Sequence, residues 1–382
     1  MSTPAQQPIY RAVIETAVTD DYIEFNKFTS LKYSYYLNRG SVAELTCPLN
    51  YEKVTVISKS TRQVWLRVYR RDTANDSEYL VWYGKLYECS YSGDENAATL
   101  VMKFENVVNL LANRYVPSDY SVTTATDQSD ILWALINNTQ LLTGGNLGIT
   151  RGAAPVSKNR TAVTELQNRT IKDVMESYSE VIDGVDWEIT PTPKNPAIHI
   201  FNTYFTTTGA KYHKGDTVTT PITYIVDNAG ASSLNNASSF SITEQGKDFA
   251  NSIKVLGATV DEATVTSTAQ DAASITAYGL FEKVSQESTL EEQSTVDDRA
   301  DELLSALSIV PLAINFKLIP HVQPRVGTYD VGDIFSVRFQ YYDAVIFETD
   351  YRVYGIAITV DENGVENVSL DLNVVWAVIN KI

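Results

Sequence analysis

The stretch "YGIAITVDENGVENVSLDLNVVW", Tyr354–Trp376, sets the architecture of the chain's C-terminal part. Ile356, Ile358 and Val360 alternate with small or polar residues on the way in, and Val368, Leu370, Leu372 and Val374 do the same on the way out. Between them lies Asn363-Gly364, the dipeptide of a two-residue type I′ turn. The reading is an antiparallel hairpin with one buried face. Upstream, "TYDVGDIFSVRFQYY" (Thr328–Tyr342) sets Phe335, Val337, Phe339 and Tyr341 against Ser336, Arg338 and Gln340. This patterned sheet holds no nucleophile, no histidine and no metal-ligand spacing.

Residues from about 10 to 116 also read as sheet. "YEKVTVIS" and "QVWLRVYR" are short β-rich runs. In "EYLVWYGKLYECSY", Leu80, Trp82 and Leu86 share one face, and Tyr79, Val81, Tyr83, Tyr87 and Tyr91 the other, with Gly84 marking a bend or bulge. "ATLVMKFENV" returns after the "SGDEN" turn. Strands at this spacing suggest a small antiparallel barrel or sandwich.

The period then changes to a helical one. "DQSDILWALINNTQLL" carries the stripe Ile131, Leu132, Leu135 and Ile136, with Ser129 as its cap. A glycine-rich loop over 143–163 follows, of a length that is usually functional or mobile. A second helix has the stripe Ile171, Val174, Met175, Tyr178, Val181 and Ile182, and "VDWEITP" and "AIHIFNTY" form a strand pair. The runs 228–241 and 264–277 are small and polar and read as loop or linker. A third helix, near 296–308, has acids in its first turn and the stripe Val296, Ala300, Leu303, Leu304 and Leu307. The fold class is therefore mostly β with an α/β insert.

The chain has 382 residues, 44% of them hydrophobic, enough for two or three domains with real cores. Net charge is −17; the first 150 residues carry 13 basic and 16 acidic side chains, the remainder 17 and 31. No basic patch stands out, which argues against specific nucleic-acid binding. The acidity serves solubility, or lines a surface that DNA or protein slides past. Cys47 and Cys89 are the two cysteines, too few for a disulfide framework. No signal peptide is visible in "MSTPAQQPIYRAVIE", and no apolar run approaches a membrane span.

Chemistry is hard to find. His199 alternates with Ile198 and Ile200 in an apparent strand and reads as structural, while His213 and His321 are isolated loop residues. There is no G-x-S-x-G and no phosphate cradle, and both cysteines read as packed thiols. Glu180, Asp183, Asp186 and Glu188 cluster around the end of the second helix. A glycosidase needs two carboxylates, though a solvated helix end and strand edge also explains them. No catalytic, cofactor-binding or metal site is expected, and no enzyme activity.

"SDILWALINNTQLLTGGNLGITRG", together with "NRTIKDVMESYSEVIDGVDWEITP", resembles the middle of tail-hub (minor tail) proteins of long-tailed bacteriophages, which are similar to contractile-tail baseplate hubs. The matching features are Trp133 to Ile136, Gly148 to Thr150, Ile171 to Ile182 and Asp186-Trp187. "VVNLLANRYV", with Leu110, Leu111 and Arg114, resembles the end of a first hub barrel. "ITEQGKDFANSIKVLGA", "YDVGDIFSVRF" and the closing hairpin resemble parts of a second.

The resemblance implies two hub-type barrels or sandwiches, at 1–122 and 241–382, around an α/β insert at 123–240. It implies a homotrimeric baseplate ring at the virion tail tip, made in the host bacterial cytoplasm. The ring would join the distal tail protein and the tape measure protein to a spike or fibre protein, around the channel of DNA ejection. Fibre or muralytic functions would sit on other chains. Two other readings stay open: a carbohydrate-binding β-sandwich module of a tail tip, and a cryptic glycosidase using the acidic cluster.

Overall fold

In the computed structural model the hairpin forms as a long strand, β21 (Ala344–Asp361), paired antiparallel with β22 (Glu366–Val374). Ile356, Ile358, Val360, Val368, Leu370 and Leu372 are all buried, each contributing about 1.5–3 kcal/mol relative to exposure. The turn differs from the type I′ expectation. Gly364 takes φ +77° while Asn363 is not left-handed, and Asp361 Oδ1 accepts the amides of Asn363 and Val365 at 2.9 Å each. The aspartate side chain organises a longer turn whose last residue needs the glycine.

The structure describes residues 8–16, 22–25, 28–49, 64–73, 75–93, 98–162, 166–180, 184–192, 195, 197–205, 214–227, 230–231, 235–244, 246–260, 263–288, 290, 292–308, 312–319 and 322–374. "YEKVTVIS", Val181, Ile182, Asp183, His213 and His321 lie outside them. The chain divides into two compact units, one of Met1–Phe240 with Asn315–Ile382 and one of Ser241–Ile314. The fold is mostly β with helices, an α+β arrangement, and among the described residues none of its sheets closes into a barrel.

In the first unit the N-terminal strands are β1 (Ile9–Thr16), β2 (Tyr22–Phe25), β3 (Ser30–Tyr36), β4 (Val42–Pro48), β5 (Val64–Arg71), β6 (Tyr79–Gly93) and β7 (Ala98–Glu105). They run in the order β3-β4-β7-β6-β5-β1-β2, with β3 joined to β21. β21 is 18 residues long and serves two neighbourhoods: its first half pairs with β20 (Ile334–Tyr341), its second with β3 and β22. β20 continues to β13 (Thr217–Asp227), and β22 to β19 (Leu312–Leu318) and β15 (Ala237–Glu244).

Along β6 the simple alternation of tyrosines is broken. The register skips Val81 against β5 and Tyr87 against β7, so each bulge flips the phase. Gly84 is not itself the bulge. A Cβ there would meet Trp82 Cη2 at 2.3 Å and Glu105 O at 2.4 Å, so the glycine permits a close approach.

The α/β part has its own core. α1 (Gln128–Gln140) buries Ile131, Leu132, Leu135 and Ile136 as its stripe demands. Its cap is Asp127 rather than Ser129: Asp127 Oδ1 accepts the Ser129 amide at 2.8 Å, because the helix begins one turn earlier than the apolar pattern. α2 (Ile171–Glu180) packs Ile171, Val174, Met175 and Tyr178 into the same core. Trp187 is fully buried there, on β11 (Asp186–Pro191), and donates from Nε1 to Met175 O at 2.9 Å. β11 pairs antiparallel with β12 (His199–Tyr204).

The glycine-rich loop is pinned rather than slack. The Gln140 side chain acts as a strand edge, donating to Ile149 O at 2.9 Å and accepting from Ile149 N at 2.8 Å. That seats Ile149–Arg151 in parallel register on β12.

The second unit is a sheet of Ser252–Val260, Ala263–Gln270 and Glu282–Gln286 packed by the helix Gln293–Leu307. The helix starts at Gln293, so no acid lies in its first turn. Val296 and Ala300 are buried against Ile253 and Val255. The soft run 264–277 is ordered here as a strand and then a helix, Ala272–Tyr278, whose cap Asp271 accepts from Ser274 N at 2.9 Å.

Candidate functional site

The first unit contains a cleft of about 740 Å³ whose walls come from β3, β6, β11, β12 and the loops before β13 and β20. Its framework begins on β11. Asp186 and Glu188 are two apart on one strand and so share a face, while Trp187 points the other way into the core.

Asp186 is 5% exposed and is held from three sides. Arg352 Nη2 donates to its Oδ2, Asn38 Nδ2 to its Oδ1 at 2.8 Å, and Lys214 N to its Oδ2 at 3.0 Å. Arg352, 3% exposed, also donates to Gly332 O at 3.1 Å and Lys214 O at 2.9 Å. Asn38 sits at φ +58°, a conformation asparagine tolerates, and its Oδ1 accepts from Trp187 N at 2.6 Å. Burial pushes the Asp186 carboxyl upward, but Arg352, Asn38 and the Lys214 amide overcome it and hold it below the usual carboxylate range.

Glu188 takes the next layer outward. Lys214 Nζ bridges Glu188 Oε2 at 2.6 Å and Asp330 Oδ2 at 3.0 Å, and the Tyr204 hydroxyl donates to Glu188 Oε1. Burial lowers the Lys214 ammonium's pKa, but Asp330 and Glu188 outweigh it and raise it overall. Gly215 and Gly332 lie back to back: a Cβ on Gly215, at φ +107°, would meet Gly332 O at 2.1 Å.

A second polar cluster stitches β1, β5 and β22. Glu366, 2% exposed, accepts at Oε2 from Tyr10 OH at 2.7 Å and from Arg70 Nε at 3.0 Å. Arg70 Nη1 donates to Tyr79 OH at 2.7 Å at the cleft wall.

Of the four acids that cluster in the sequence, two meet at this site. Glu180 is exposed, 3.9 Å from Arg39, Asp183 lies outside the described residues, and Asp186 and Glu188 are bound to different cations. A glycosidase acid needs a raised pKa, and Asp186 has the opposite. His199 is 2% exposed, 5.7 Å from the Tyr83 ring centroid. Burial pushes its pKa down to about 4, the backbone of Leu147 and Ala197 pulling the other way. Cys47 is buried and Cys89 half-buried. Among the described residues no group of His, Cys, Asp or Glu is arranged to hold a metal, and no helix is long and apolar enough to cross a membrane.

No family model matches the sequence, and no curated protein matches it. Solved structures do. A tail protein from Neisseria meningitidis MC58 aligns at TM-score 0.64 with 9% identity, over 96% of this chain and 98% of that one. The 43 kDa tail protein of prophage MuSo2 from Shewanella oneidensis aligns at 0.63 and 9% identity, over 96% and 99%. This chain has a phage tail-protein fold. Prophage tail protein gp18 from Listeria monocytogenes EGD-e aligns at 0.53 with 12% identity, over 94% of each chain. At these identities the likeness lies in how strands and helices are arranged. In this tail-protein fold, Asp186-Trp187 joins the framework of the cleft to the core of the α/β part.

Proposed function

We propose that the chain is a non-enzymatic structural hub of a phage-type tail tip. The observation that carries this is end-to-end coverage: nearly the whole chain aligns with nearly the whole of two proteins described as tail proteins. The buried polar clusters around Asp186 and Glu366 act as clamps, which suits a part that must keep its shape under load. In this reading the chain forms a homotrimeric ring. The ring joins the distal tail protein and tape measure protein to a spike or fibre protein, and DNA leaves through its centre. Residues 1–122 and 241–382 are the two similar hub units, with Ser241–Ile314 an excursion from the second. Residues 123–240 are the insert directed to the threefold tip. The net charge of −17 suits a wall that DNA passes without binding.

Native mass spectrometry and electron microscopy of the purified chain, with immunogold labelling of particles from the virus or prophage that encodes it, test this. A threefold ring with six lobes and gold at one end of the tail are expected. Labelling of heads, or no labelling of disrupted particles, would overturn the proposal.

A further inference from the structure

Among the described residues the two most exposed leucines are neighbours at the end of α1. Leu141 is 76% exposed and Leu142 62%, and Ile198 is 40% exposed on the far side of the Gly148–Ile149 backbone. The Gln140 side chain holds Ile149 from one side, and His199 N donates to Gly148 O at 2.8 Å from the other, so one short segment joins the three. Their turn is fixed. Gly145 N donates to Leu142 O at 2.7 Å, and Asn146 Oδ1 accepts from Gly148 N at 2.8 Å. Gly148 takes φ +70°, and a Cβ there would meet Ala197 O at 2.2 Å. Such a turn meets its ordering cost on folding rather than on binding, which is how contact surfaces are pre-organised.

Charge identifies the occupant. The chain carries −17, yet no residue between Asp130 and Arg151 is ionisable, and those two are paired with each other. The turn 192–198 has one charge, Lys194, outside the described residues. The exposed side chains around the leucines, Asn138, Thr143 and Asn146, are polar and neutral. An apolar centre, a polar surround and depletion of charge mark a protein contact. Other exposed apolar clusters lack the last of these: Tyr341 and Tyr342 adjoin Asp343, and Leu280 and Phe281 adjoin Glu282. Two copies of so acidic a chain repel wherever like charges face each other, and a charge-free patch removes that cost. A strongly charged partner would gain nothing from it, so a second copy fits this surface best.

We propose that Leu141, Leu142 and Ile198 form the centre of a contact between copies of this chain, patch against the same patch about a symmetry axis. It gives the trimeric reading above a contact, and rests on that reading only for the number of copies.

Sedimentation velocity of the full chain up to about 100 μM, with native mass spectrometry for the number of copies, tests it. Wild type is expected to self-associate. Leu141→Asp with Leu142→Asp puts charge at the centre and is expected to weaken association at least about thirtyfold, the effect of one lost hot spot. Val156→Asp is the control: Val156 is 79% exposed, but its neighbour Ser157 is bonded to Asp127 at the other end of α1, and no change is expected. Leu142→Cys adds a measurement that loses no contact, since bismaleimidoethane is expected to link its copies through residue 142. The proposal fails if wild type stays monomeric, if the double variant, folded by its melting curve, associates as wild type does, or if Val156→Asp is equally disruptive. It also fails if residue 142 does not link. The threefold reading fails separately: a dimer lost in the double variant would keep this contact and end that reading, and a trimer that survives would do the reverse.

Discussion

Replacing Asp186 by asparagine keeps the shape of the side chain and removes its charge. Arg352 would then be a guanidinium 3% exposed with no anion beside it, and the new amide would turn a donor either toward Asn38 Nδ2 or toward Arg352 Nη2 and the Lys214 amide together. Breaking one side of a buried pair costs about 3–5 kcal/mol, most of it the stranded charge. With a urea slope of about 3 kcal/mol/M for a unit of this size, the midpoint should fall by about 1–1.7 M.

The effect has a defined pH window. The Asp186 carboxyl ionises more readily folded than unfolded, so its contribution is fully present above the unfolded value of about 3.9 and is lost as pH falls through the lower folded value. The gap between wild type and Asp186→Asn should be flat at neutral pH and close below about pH 4. Replacing both partners, as Asp186→Leu with Arg352→Met, removes the stranded charge and should recover much of the loss. Urea titration followed by tryptophan fluorescence reads all three proteins. A loss under about 1 kcal/mol for Asp186→Asn at pH 7, or a double variant no more stable than Asp186→Asn, would refute the reasoning.

Three further outcomes are expected. His199 stays neutral in the folded chain down to about pH 4, whereas the unfolded histidine charges near 6.5. Stability should therefore decline by about 3 kcal/mol as pH falls from about 6.5 to 4, and His199→Phe should flatten that stretch of a urea-midpoint profile. Gly215→Ala forces a Cβ to 2.1 Å from Gly332 O at φ +107° and should cost at least about 2 kcal/mol, read by the melting curve. Gln140→Ala frees the Ile149 amide, whose exchange with deuterium should accelerate about tenfold while α1 stays protected.

Much of the fold is legible in the residues because its signals are local. The alternation of Ile356, Ile358 and Val360, and the stripes on α1 and α2, are set by period and burial alone. Signals failed where polar side chains replace apolar ones. Ala263–Gln270 is a strand built from threonines and serines with only Ala269 buried, so no alternation in hydrophobicity announces it. The site was legible only by half. Asp186 stands out beside Trp187, but its partners Asn38, Lys214 and Arg352 lie 148, 28 and 166 positions away. No pattern within a strand or helix names an arginine that far off. The long strand β21, which carries Arg352 on one half and the hairpin face on the other, is what brings them together.

The chain leaves the first unit along Ala237–Glu244 and returns along Leu312–Leu318, and these two strands are hydrogen-bonded neighbours. Ser238 Oγ reaches Lys317 O at 3.2 Å across them, and the rings of Phe240 and Phe316 stack at 6.1 Å. Exit and return are therefore already fastened side by side, so the ladder does not depend on what the intervening residues do. Residues 241–314 therefore leave and rejoin the sheet at one spot. Lineages could lengthen, shorten or replace this stretch by recombination there, and a short hairpin loop could take its place. A fold built this way can acquire a new surface without rebuilding its sheet.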